Sequence, residues 1–180
     1  MFRIARAARR LDKNYRASIS DRGGIELMEG IKPIGMVRNE AKSGRAGSWK
    51  ELVSEIIIDP EHSEALYRLE DFSHIYVLFY LHEMDRPFRT KIHPRGNPEY
   101  PLMGAFATRT PNRPSRIGLT LCKLESREGS VLTVKGLDAF DGSPVLDIKP
   151  YTHFPVEGEV RLPEWVVELR EDLYKENHSE

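Results

Sequence analysis

Ile75-Tyr-Val-Leu-Phe-Tyr-Leu81 is an unbroken run of seven apolar or aromatic residues, closed by His82-Glu83. It is too short for a core helix and rich in β-branched and aromatic side chains. The run therefore predicts a central strand buried on both faces. Shorter apolar runs surround it: Ile31–Val37, Glu55–Ile58, Gly104–Thr108, Ile117–Leu124, Val131–Val134 and Pro144–Ile148. The turn Arg127-Glu128-Gly129-Ser130 joins two of them as a hairpin. Only two segments read as helix. One follows Asp59-Pro60, an N-cap and first-turn proline, and ends near Glu70; the other is Pro163–Glu176, with Trp165, Val166, Leu169 and Leu173 on one side. Strands without regular intervening helices argue against a doubly wound parallel sheet. The expectation is a mainly β fold: a small mixed or antiparallel β-barrel with short peripheral helices.

The length of 180 residues fits one such domain with appendages. Residues 1–24 are Arg-rich, end in Gly23-Gly24, and read as an N-terminal extension, either a disordered arm or one in which Ile4–Leu11 forms a short basic helix. Residues 25–154 form the barrel domain, and 155–180 an acidic C-terminal helix. No run reaches membrane-spanning length, and the N-terminus lacks the apolar centre of a secretory signal. The lone Cys122 excludes an internal disulfide and points to a reducing, cytoplasmic setting. Its apolar context predicts a buried, inert thiol.

The net charge of −1 hides an uneven distribution. From Arg86 to Arg116 there are seven Lys/Arg against the single acid Glu99, whereas Glu157–Glu180 holds eight acids and three Lys/Arg. The basic middle suits a polyanion, or a solvated loop pairing with acids elsewhere. It also contains six of the twelve prolines. A long, proline-stiffened segment inside a small domain is usually functional or mobile, because proline lowers the entropy lost on ordering.

Phosphate-binding glycine loops, zinc cysteine patterns and nucleophile elbows are missing from the sequence, and the six histidines are scattered without metal-ligand spacing. No metal is expected. Three clusters carry polar groups that could do chemistry. The first is His82-Glu83 at the end of the strongest strand, a pocket mouth or an ordinary strand terminus. The second is the loop bearing Arg109, Arg113 and Arg116 between Pro111 and Pro114, whose guanidiniums suit a carboxylate or phosphate. The third is Gly136–Tyr151, where Asp138, Asp141 and Asp147 lie in or beside a tight turn. Asp141-Gly142 is strong turn chemistry in its own right. Asp147 precedes Lys149, which suggests a structural ion pair.

Taken in order, Ile34-Gly-Met-Val-Arg38, Leu69-Glu-Asp-Phe-Ser-His74, Gly104-Ala-Phe-Ala-Thr-Arg109, Arg113-Pro-Ser-Arg-Ile-Gly118 and Leu137-Asp-Ala-Phe-Asp-Gly-Ser-Pro-Val-Leu-Asp-Ile-Lys-Pro-Tyr151 resemble the TsaA-like or TrmO family of tRNA methyltransferases, over roughly residues 31–154. The resemblance implies a small β-barrel that binds S-adenosylmethionine, forms homodimers, and methylates threonylcarbamoyladenosine at its exocyclic amino nitrogen beside the tRNA anticodon. It further implies cofactor contacts at His82, Glu83, Arg109, Leu119 or Leu121, and Asp138 with Asp141, Gly142, Ser143 and Pro144. There are departures. The family's Arg-Pro-Asn is Arg113-Pro114-Ser115 here, and its Pro-Arg-Gln-Pro-Gly element after the first strand is not recognisable; Gly44-Arg45-Ala46-Gly47 stands at that point. A short acidic helix replaces the distinct C-terminal region of bacterial relatives.

Within that reading, Arg109 suits the cofactor's carboxylate, and Asp138 or Asp141 its amino group or a hydroxyl. The acceptor nitrogen must lose a proton, and Asp138, Asp141, His82 and Glu83 are all candidate bases. Arg86, Arg89, Lys91 and Arg95 suit tRNA phosphates, while Arg113 and Arg116 could shape the loop, bridge a dimer or meet RNA. Two rivals remain: a non-catalytic S-adenosylmethionine- or RNA-binding module, and a methyltransferase with a small-molecule acceptor.

Overall fold

The computed structural model describes residues 31–42, 49–153 and 158–176. The expected extension at 1–24 and Gly44–Gly47 lie outside the described residues. The chain divides at Lys32/Pro33 into two units, and the barrel belongs to the second, Pro33–Glu180.

Six strands close into an antiparallel barrel: β1 (Gly35–Arg38), β2 (Val53–Ile58), β3 (His74–Tyr80), β6 (Ile117–Glu128), β7 (Val131–Lys135) and β8 (Pro144–Pro150). Their order around the wall is β1-β2-β7-β6-β3-β8. The two-residue strands β4 (Lys91–Ile92) and β5 (Met103–Gly104) form a separate antiparallel ribbon. Helix α1 (Glu164–Glu176) follows the barrel, with Trp165, Val166 and Leu169 less exposed than their neighbours.

Alternation along each strand sends every second side chain inward. Val37, Ile56, Ile58, Ile75, Val77, Phe79, Cys122, Leu124, Leu132, Val134 and Val145 fill the interior, as expected for a barrel this small. The central run is therefore half right in its burial. Ile75, Val77 and Phe79 point into the core, but Tyr76, Leu78 and Tyr80 are only partly covered, because the barrel wall has a solvent side. Register shifts at Leu78/Phe79 and Leu124/Ser126 bend the wall, the usual means of closing a sheet on itself.

The β6–β7 hairpin turns through Gly129-Ser130 as the sequence predicts. The segment after Asp59-Pro60 is not one α-helix but two 3₁₀ turns, Pro60–Leu66 and Leu69–Asp71, broken by left-handed Arg68 (φ 63°). Asp59 makes no side-chain cap there, and Leu66 is the buried residue of the longer turn. Gly104–Thr108 is likewise mostly not a strand: β5 ends at Gly104, and Ala105–Ala107 is a 3₁₀ turn. The carbonyls of Ala105 and Thr108 are taken by the guanidinium of Arg113 at 3.3 and 3.0 Å. Backbone groups satisfied within the loop are not available to a neighbouring strand.

Candidate cofactor cleft at the barrel end

Three chain segments converge where β3 meets β6. Tyr80 pairs with Ile117, and the Leu81 amide donates to the Arg116 carbonyl at 2.8 Å, so Leu81-His82-Glu83 leaves the barrel beside the start of β6. The proline loop arches back over β6, and Arg109 Nη2 donates to the Leu119 carbonyl at 2.7 Å. After β7, residues 136–143 cross the barrel end. Leu137 and Ala139 plug it, leaving Asp138 and Phe140 to face the cleft.

The turn that follows is tied down from the backbone. The Asp141 amide donates to Ala41 O, the Gly142 amide to Val37 O, and the Val37 amide to Ser143 O, at 2.8–2.9 Å. Gly142 has φ +77°, a conformation that side chains rarely adopt, and a Cβ there would lie 3.8 Å from His82 Nε2. Buried Ser143 places its Oγ 3.2 Å from His82 Nδ1, while His82 Nε2 lies 3.3 Å from Glu83 Oε1. The imidazole is thus held on both sides.

The cleft has a volume of about 940 Å³. His82, Glu83, Arg109, Leu119, Leu121, Asp138 and Ser143 all line it, as does Arg113. Asp141, Gly142 and Pro144 are not among the lining residues. Asp141 accepts from the Asn39 amide at 3.1 Å, and Pro144 opens β8 opposite Met36. Arg113 is a loop-shaping residue through its two carbonyl contacts, and Arg116 holds a left-handed turn position (φ 51°). Arg86, Arg89, Lys91 and Arg95 lie on the loop around β4 and are exposed. Asp147 pairs with Lys149 at 2.7 Å.

Asp138 is the electrostatic centre of the cleft. Its side chain is exposed at the cleft surface, although protein atoms gather around the carboxylate itself. Lost hydration raises its pKa above the usual carboxylate value, opposed by the Thr120 hydroxyl, by backbone donation and by the positive charge of Arg109. Cys122 is buried, and burial together with the nearby Asp138 charge pushes its thiol up to about 12, which excludes it as a nucleophile at neutral pH.

Sequence reading missed several lining residues. Trp49 and Phe140 face each other with ring centroids 5.4 Å apart, and Tyr76 and Ile117 add apolar wall. Thr120 was detectable as the lone hydroxyl at an inward position of β6, although its partner lies eighteen residues on.

A closed antiparallel barrel whose end combines a guanidinium, a crowded carboxylate, a clamped imidazole and aromatic walls is a binder of a compact ligand with both charged and apolar parts. Comparison with known proteins narrows this class. The family model for the tRNA-methyltransferase O N-terminal domain matches residues 39–155, and the chain belongs to that family. A probable S-adenosyl-L-methionine-binding protein of Methanothermobacter thermautotrophicus is 45% identical over 125 residues, covering 67% of this chain and 88% of that protein. The human tRNA (adenine(37)-N6)-methyltransferase is 42% identical over 126 residues, covering 69% of this chain but only 26% of the human protein. A crystal structure of TrmO from Pseudomonas aeruginosa superposes with a TM-score of 0.54 at 31% identity, covering 70% of this chain and 57% of that one.

Proposed function

We propose that this protein is an S-adenosylmethionine-dependent tRNA methyltransferase whose acceptor is the exocyclic amino nitrogen of threonylcarbamoyladenosine beside the anticodon. The observation that carries the proposal is the convergence of His82, Glu83, Arg109, Asp138 and Ser143 on one cleft, in a chain of this family.

The residues present suit the cofactor's chemistry. Arg109 offers a fixed cation to an α-carboxylate, and Asp138 an anion to an amino group or to a sulfonium. Trp49 and Phe140 offer flat apolar surface to an adenine ring. When bound, the cofactor supplies a methyl group on positive sulfur, transferred to the acceptor nitrogen with S-adenosylhomocysteine as leaving group. The protein's share is alignment and proton removal. Asp138 is the best-placed proton acceptor, because its carboxylate faces the cleft and its raised pKa brings its basicity nearer to neutral pH.

Dimerisation is part of the proposal. Ile117, Leu119 and Leu121, which line the cleft, stand exposed on the outer face of β6, so a second copy docked there would close over the cofactor cleft and share its wall. We propose a cytoplasmic location because the tRNA acceptor would be met there; among the described residues no helix is long and apolar enough to cross a membrane.

Calorimetric titration with S-adenosylmethionine is the first test, and no binding at millimolar ligand would sink the reading. Arg109→Ala is expected to weaken binding about tenfold or more, as for loss of a charge-assisted contact. Arg89→Ala should leave it unchanged, and equal effects would contradict the roles assigned. A second reading, a cofactor-binding module without transferase activity, is favoured by the names of archaeal relatives, which are called S-adenosyl-L-methionine-binding proteins. Cofactor binding without methyl transfer to any tRNA pool would decide for it.

A further inference from the structure

Phe106 is 73% exposed and Phe88 40% exposed, yet their rings are ordered against each other. The centroids are 6.2 Å apart and the planes inclined by 25°. The small ribbon explains the meeting. Lys91 pairs with Gly104, and the Ala105 amide donates to Thr90 O at 2.9 Å, which brings residues just before Thr90 beside those just after Ala105. Arg113 completes the arrangement. Its guanidinium carbon lies 5.4 Å from the centre of the Phe106 ring while its nitrogens hold the Ala105 and Thr108 carbonyls. The same side chain lines the cofactor cleft. One arginine therefore touches both the cleft and the aromatic pair.

Two exposed phenylalanines flanking the ribbon, one before β4 and one in the 3₁₀ turn after β5, are costly unless something covers them. Their surroundings are cationic: Arg86, Arg89 and Lys91 are exposed on the same short segment. Aromatic rings among guanidinium and ammonium groups suit unpaired nucleotides, whose bases stack and whose phosphates pair. We propose that Phe106, with Phe88 and Arg113, is a stacking platform for an unpaired nucleobase of the RNA, next to the nucleotide presented to the cleft. This rests on the reading of the protein as an RNA methyltransferase. It adds a site that distinguishes looped from paired RNA, because a base inside a duplex has no free face to offer.

The test is fluorescence anisotropy with a labelled RNA hairpin carrying an unpaired loop, beside a blunt duplex of the same stem. Stacking of one base predicts that Phe106→Leu weakens hairpin binding between about fivefold and a hundredfold. Duplex affinity and calorimetric cofactor affinity should not move, and Phe106→Tyr should restore hairpin binding. Hairpin affinity indifferent to Phe106→Leu, but lowered by Arg89→Ala, would overturn the platform and spare the RNA reading. Failure of the unaltered protein to bind either RNA would overturn both. Loss of self-association in Phe106→Leu would assign the rings to a subunit contact and overturn the platform.

Discussion

Asp138 shows how one residue acquires its character from the chain around it. The carboxylate is placed by a segment that plugs the barrel with Leu137 and Ala139, so neighbours that are there for packing take part of its hydration although its surface stays exposed. Thr120 and Arg109 partly offset that loss. A carboxyl with a raised pKa stays protonated to a higher pH than usual, and only its ionised form accepts a proton. The acid limb of a kcat/KM profile for methyl transfer should therefore lie above the ordinary carboxylate range. In Asp138→Asn that limb should vanish and the rate fall by about a hundredfold or more. A limb unchanged in the variant would point to His82 or Glu83. None of the candidate bases was separable from sequence, because desolvation depends on neighbours far along the chain.

At the scale of elements, β6 does two jobs with its two faces. Its inner face packs the tip of the Phe79 ring against Gly118, so closely that a Cβ there would come within 2.4 Å of the ring. Gly118→Ala should displace that ring and cost about 1–3 kcal/mol in chemical denaturation, as overpacking does; a neutral substitution would mean that the ring has room to shift. The strands were legible because Ile75–Leu81 and Ile117–Leu124 are apolar runs too short for core helices; the period of two in their burial comes only with the barrel's solvent side. The β6–β7 turn was legible because Gly129 supplies a positive φ. The first helix was misread for a local reason. Asp-Pro-Glu starts a 3₁₀ turn as readily as an α-helix, and only the break at Tyr67-Arg68 distinguishes them. The Trp49–Phe140 wall was not legible, since only the barrel's closure brings those rings together.

For the whole molecule, the uneven charge becomes spatially meaningful. The basic segment is the ribbon and proline loop that border the cleft, so an anionic substrate would be drawn to the side where chemistry is proposed. RNA affinity should fall linearly with the logarithm of salt concentration. The double variant Arg89→Ala, Lys91→Ala should flatten the slope by about 1.4 if both side chains neutralise phosphates of single-stranded RNA. An unchanged slope would remove them from the interface. The same folding that gathers the cations also joins β1 to β8 through only two residue pairs, Gly35 with Val145 and Met36 with Pro144. The Val37 amide, next along that seam, is the group that holds Ser143 beside His82. The zip of the barrel and the latch of the pocket are consequently one fastening. A molecule seated in the cleft rests against Ser143 and His82, so it meets the shortest joint in the wall from one side only, through the residue that the next amide of the seam holds in place.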